Sequence, residues 1–251
     1  MTVEQHGMAQ LEVYSMLARK LLMVSIGGGA FVIPSFTGSH SLFGDEQKGY
    51  IELYSSGTLT FDGDSTVDVF ILGSGLHGGD GYQTSGMSTT IEKGGDGGAG
   101  GKGETYTGIK VSGSYDITIA AACSSTTTAN ASSVFGNSVN TKGASGGYGS
   151  DDSNGINGSI GVSIPFGDSV NFPSTYGGGG GGGGGSYTDG YTTTYQPGSG
   201  GIIGGGKGAL TSAAVAGTAN TGGGGGGGRG SDRRRPSANG GSGLVIVRWG
   251  Y

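Results

Sequence analysis

TYGGGGGGGGGSYTDGYTTTYQPG, residues 175–198, sets nine consecutive glycines between Tyr176 and a polar loop that carries Tyr187, Tyr191 and Tyr195. Whether that run is a flexible linker or an ordered rod decides the fold. Comparable tracts occupy 94–103, 198–208 and 222–230, and the first of them is a strict Gly-Gly-X repeat with Asp96, Ala99 and Lys102 at the third position. A three-residue period matches the polyproline II helix, in which nine to eleven residues span roughly 28–34 Å. Linkers have no reason to share one length. Such a helix bonds nothing within itself, so each N–H and C=O points sideways and needs water or a neighbouring segment. Glycine is the costliest residue to order, but it alone lets backbones approach closely enough to pair on several sides. The nine glycines are therefore expected to form a rod within a bundle.

Composition supports an unusual architecture. Glycine supplies 63 of the 251 residues, and Leu, Ile, Val and Phe together supply 47, too few for an ordinary core. Disorder on that ground requires high net charge, whereas the formal charge here is −5 with 12% charged residues. No run of about 18 apolar residues is present to span a bilayer, and the first thirty residues lack the layout of a secretion signal because Glu4 and Glu12 precede Arg19 and Lys20. Mild acidity argues against nucleic acid as a partner. The single cysteine, Cys123, has no partner for a disulfide and is expected to be structural.

Three regions follow. Residues 1–30 read as an α-helix over about 3–25, with Thr2 and Gln5 as a capping box, early acids, late bases and Gly27 as the stop. Its apolar stripe, including Leu11, Tyr14, Leu17 and Leu21, packs on its own domain, docks on a larger assembly or self-associates. Residues 31–72 form a β lead-in. Within 49–75 the pattern gives three short strands, with Asp62-Gly63-Asp64 as a turn. Alternation also marks strands in 108–122 and in the closing Leu244–Trp249. Residues 73–251 are then a glycine-rich domain with variable loops. The expected fold class is an N-terminal α-helix followed by a mainly β/polyglycine II helix sandwich.

Where the tracts end, the composition changes. The intervening segments bring Tyr82, Tyr148, Tyr187, Tyr191 and Tyr195, and a basic run at Arg233, Arg234 and Arg235. Tyr, Ser, Gly and Asn make adaptable binding loops, because Tyr offers a large amphipathic surface at low entropic cost. These eight residues are the candidate recognition site.

Oligoglycine tracts between Tyr/Ser/Asn loops, behind an N-terminal attachment segment, resemble the tail-fibre-tip adhesins of tailed bacteriophages. SSGTLTF, STVDVFILGSGLHGGDG and the closing GGSGLVIVRWGY resemble the glycine-rich C-terminal domains of phage tail proteins, and the likeness covers about residues 50–251. It implies a virion-tail location and a non-catalytic protein whose loops contact a bacterial surface receptor, protein or glycan. It also implies docking on tail-fibre or baseplate proteins or on further copies of the chain. The alternative it leaves is a structural fibre or baseplate component that serves assembly and rigidity.

Rival chemistries are weak. Gly201, Gly206 and Lys207 stand at phosphate-loop spacing, but Gly208 occupies the place of the Mg²⁺-binding hydroxyl. His6, His40 and His77 sit in unrelated settings without a nucleophile elbow or a zinc motif. Asp62 and Asp64 read as turn residues rather than an acid–base pair. No enzyme activity, metal or cofactor is expected.

Overall fold

The computed structural model describes residues 33–86, 90–150, 153–161, 165–167, 176–180, 182–183, 186–188, 192–229 and 236–251. Its strands are Ser35–Phe36 (β1), His40–Gly44 (β2), Gly49–Leu53 (β3), Gly57–Leu72 (β4), Tyr82–Ser85 (β5) and Thr90–Lys93 (β6). Gly103–Ile117 (β7), Ser132–Val134 (β8), Asn137–Val139 (β9), Ser186–Thr188 (β10), Thr192–Thr194 (β11) and Leu244–Trp249 (β12) complete the set. β4, β12, β3 and β2 lie side by side in that order, β1 pairs with the end of β4 at Leu59 and Thr60 on the same edge as β12, and β7 pairs along the opposite edge of β4.

β12 sits between β3 and β4, in register from Val245 opposite Leu53 and Ile71 to Arg248 opposite Tyr50 and Asp68. Flanked on both sides and covered on both faces, all six of its residues are buried. Period-two alternation sorts the sheet's apolar residues onto its faces. Ile51, Leu53, Val69, Ile71, Val245, Val247 and Trp249 share one cluster with Val134 and Val139 of the β8–β9 hairpin. Tyr50, Phe70, Leu72, Leu244 and Ile246 form the other, which takes in Tyr176 at the head of the nine-glycine run. Burying the five apolar side chains of β12 is worth on the order of 10 kcal/mol in transfer free energy.

Three sequence expectations are corrected. Asp62-Gly63-Asp64 makes no turn. β4 runs unbroken past it, with a register shift between Phe61 and Ser65, so the three residues form a bulge, with Gly63 at φ +128°. The cause is β7, whose fifteen residues pair with β4 on both sides of the bulge and so hold it as one bent strand. Residues 49–75 accordingly hold two strands, not three.

The third correction is the fold class, an N-terminal α-helix followed by a mainly β/polyglycine II helix sandwich. Among the described residues there is no α-helix, only a three-residue 3₁₀ turn at Pro165–Gly167. The regular structure is mainly β-strand, forming a nearly closed, barrel-like sheet. The few apolar residues lie at period two, and a sheet buries that pattern. The expected helix over about 3–25, with Leu11, Tyr14, Leu17 and Leu21, lies outside the described residues.

The glycine tracts carry no internally bonded helix; their amides bond from segment to segment. Residues 222–228 show the arrangement. Gly225 and Gly228 donate to the carbonyls of Leu76 and Gly79, Gly224 to Gly178, and Gly226 to Val215. Their own carbonyls accept from Gly95, Gly98 and Gly101, from Gly206 and Ala209, and from Ala238 and Gly241. Six different segments thus surround this one, at donor–acceptor distances of 2.7–3.0 Å. No side chain fits between them: a Cβ on Gly224 would overlap the Gly98 carbonyl, and one on Gly227 the Gly95 carbonyl.

Candidate functional site

The bonding register gives this lattice two ends. At one end, Gly73, Gly101, Gly222 and Gly243 bond to Lys102, Gly222, Ser242 and Ala120, next to the ends of β4, β7 and β12. At the other, Gly79 bonds to Asp96, Gly94 to Ser150, Gly95 to Gly228, Gly155 to Gln196 and Ala214 to Pro236. The two levels are six residues apart along 222–228, at most about 20 Å for an extended chain. Successive segments alternate in direction, so the residues that flank five connections, at 80 and 94, 150 and 153, 183 and 196, 209 and 214, and 228 and 236, all stand at the end away from the barrel-like sheet.

The candidate recognition residues that are described, Tyr82, Tyr148, Tyr187 and Tyr195, belong to this far end. Tyr82, 53% exposed, begins β5, and Tyr148, 67% exposed, lies two residues from Ser150. Tyr187 is the middle residue of β10, and Tyr195 follows β11 and is half-buried. Tyr191, Arg233, Arg234 and Arg235 lie outside the described residues, but the flanking positions Thr188, Thr192, Arg229 and Pro236 are all at this end. The expected loops at 82–93 and 186–194 are in fact two hairpins of one antiparallel sheet, ordered β11–β10–β6–β5. Their register pairs Tyr187 with both Ile91 and Thr193, and Tyr82 with Lys93.

Side chains lock the platform to the lattice. Arg229, at the end of the 222–228 tract, donates from Nη2 to Glu92 of β6 at 2.8 Å and from Nη1 to the Leu210 carbonyl at 3.2 Å. This ion pair is largely buried. Gly149 donates to Asp96 at 2.9 Å, Gln196 to Asn154 at 2.8 Å, and the Ser237 hydroxyl to Asp80. Sequence reasoning missed Glu92, Lys93 and Asn154. Asp189-Gly190 between Thr-rich runs was the signal for the β10–β11 hairpin, and Asn154 with Asn157 repeats the three-residue period.

The remaining chemistry is spare. The phosphate-loop look-alike cannot cradle an anion, since the amides of Gly206, Gly208 and Ala209 are bonded to Gly224, Gly198 and Gly227. Cys123 is buried and donates to the Thr128 carbonyl at 3.1 Å. An open groove of about 590 Å³ at the β4 bulge is lined by Asp64, Ser65, Thr66, Lys110, Val111, Ser112 and Tyr115. Among the described residues no cluster of three His, Cys, Asp or Glu side chains is placed to hold a metal ion.

A family model described as a glycine-rich domain matches residues 54–250, most of the chain. The chain belongs to that glycine-rich domain family. The match begins just before β4, so it leaves β1, β2 and β3 outside and takes in β4 to β12 with the whole lattice, including the far end and its hairpins. No curated protein matches the chain.

Proposed function

We propose that this protein is a non-catalytic recognition component of a bacteriophage tail, or of a related phage-like particle, whose far end meets a receptor on the bacterial surface. One observation supports the reading: the described residues that flank five connections, with the candidates Tyr82, Tyr148, Tyr187 and Tyr195 among or beside them, stand at a single end of the glycine lattice. Tyr82, Tyr148, Tyr187, Tyr191 and Tyr195 supply amphipathic anchors, and Arg233, Arg234 and Arg235 engage anionic groups. The opposite side suits attachment. β1 pairs Ser35 with Thr60 and Phe36 with Leu59, so the chain reaches the sheet from the direction of the β4 bulge. Several copies per particle turn weak single contacts into firm adhesion through effective concentration.

The test is an exchange of residues 186–197 between related particles of different host range. Transfer of host range with the loop supports recognition. Unchanged host range with failed particle assembly supports the structural alternative, a fibre or baseplate component built for rigidity.

A further inference from the structure

The far-end sheet has a face whose composition specifies a ligand chemistry. In an antiparallel sheet, residues in register share a face and successive residues alternate. Tyr82 with Lys93, and Thr84 with Ile91, therefore belong to one face. Glu92 belongs to the other, where Arg229 neutralises it. The four described side chains of the first face carry one charge, Lys93, whose ammonium lies 5.8 Å from the centre of the exposed Tyr82 ring. Among the described residues Lys93 takes part in no ion pair. A basic, aromatic, hydroxyl-bearing patch thus stands at the tip of a chain whose formal net charge is −5.

Size then selects the partner. Four strands about 4.8 Å apart and four residues at about 3.4 Å make a face of roughly 14 by 14 Å, or about 200 Å². A stable protein–protein interface needs about 800 Å² on each side. A few sugar units need far less.

We infer that this face, centred on Tyr82 and Lys93, binds an anionic glycan: a bacterial surface polysaccharide bearing uronate or phosphate groups. The inference rests on the recognition reading above and names its ligand class. The Tyr82 ring offers a flat apolar surface to the C–H face of a sugar, with its hydroxyl left for solvent or a sugar oxygen. Lys93 supplies a point charge for the acidic group, and the Thr84 hydroxyl supplies a donor and an acceptor.

The experiment uses the full chain on an array of purified capsular, O-antigen and teichoic polysaccharides, with Tyr82→Ala, Lys93→Gln and Lys93→Arg beside it. All variants are first matched to the parent by circular dichroism and thermal midpoint. Retention of acidic chains is expected, with loss in 0.5 M salt as screening shortens to about 4 Å. Lys93→Gln and Tyr82→Ala should each weaken binding about tenfold, and Lys93→Arg should restore it. Equal retention of neutral chains, or Lys93→Gln and Tyr82→Ala binding like the parent, overturns the inference. So does binding to whole cells that protease abolishes and periodate spares, although the recognition reading then survives with a protein receptor. If the chain binds neither the array nor any bacterial surface, both readings fall.

Discussion

Tyr176 joins the two halves of the molecule, since its ring packs on Phe70 of β4, with centroids 5.5 Å apart, while the glycine run begins at the next residue. Burial, with the nearby Glu52 carboxylate adding to it, pushes its hydroxyl well above the ordinary 10.0. The folded state therefore holds this proton more tightly than the unfolded chain. The associated stability is fully present below pH 10 and is lost as pH climbs beyond it. Tyr50 and Tyr54 are shifted the same way, again chiefly by burial. Urea midpoints measured from pH 9 to 12 should fall steeply for the parent and less steeply for Tyr176→Phe; superimposable slopes would show that the buried hydroxyl is not the titrating group. Arg229 makes the equivalent link at the far end. Replacing it by Met removes the guanidinium that balances the largely buried Glu92 carboxylate, at a cost of about 2 kcal/mol once partial exposure is allowed for. Adding Glu92→Gln should recover much of that loss, because the unbalanced charge disappears with it. A thermal-melt double-mutant cycle reads the coupling, and additive losses would mean that the ion pair contributes no more than its separate contacts.

Strands and glycine segments encode their places differently, and this explains what the sequence made legible. β12 and the flanks of the β4 bulge were readable because apolar alternation at period two is a side-chain signal. The bulge itself was not, since Asp62-Gly63-Asp64 carries the residues of a tight turn and only β7, some fifty residues later, forbids one. Within the tracts the period of three is visible, but a glycine names no partner: nothing in Gly224 or Gly225 foretells Gly178 or Leu76. Far-end clustering was illegible for the same reason, because the direction of each segment depends on how many precede it. The tracts answer to substitution according to lattice position. Gly225→Ala drives a methyl into the Ala238 carbonyl, and such overpacking against backbone should cost about 3 kcal/mol or more. Lys207→Ala, on an exposed position of a neighbouring segment, should stay within about 0.5 kcal/mol. Chemical denaturation of the pair checks this, and equal, small losses would mean that the segments can spread to admit a side chain.

At the scale of the whole molecule, sheet and lattice share boundaries that are hard to separate. β4 passes directly into the segment at 73–80, and the segment at 236–243 passes directly into β12, the most buried strand. Gly243 also bonds to the Ala120 carbonyl, and the Ser132 hydroxyl to the Leu72 carbonyl. Among the described residues the glycine segments hold only the small cluster of Leu76, Ala99, Cys123 and Ala129, so their order rests mainly on bonds shared among several neighbours at once, and losing one segment exposes groups on all of them. Amides of 222–228 should therefore exchange with solvent only when β12 does, in global unfolding. Those of β5 at the far-end edge, where all four residues are exposed, should exchange by local opening while the lattice stays closed. Hydrogen exchange followed peptide by peptide distinguishes the cases. If 222–228 exchanged orders of magnitude faster than 244–249, the tracts would be a loose appendage on the sheet. Residues displayed at their ends would then pay their own ordering entropy on binding, and the far end would lose its advantage as a preorganised surface.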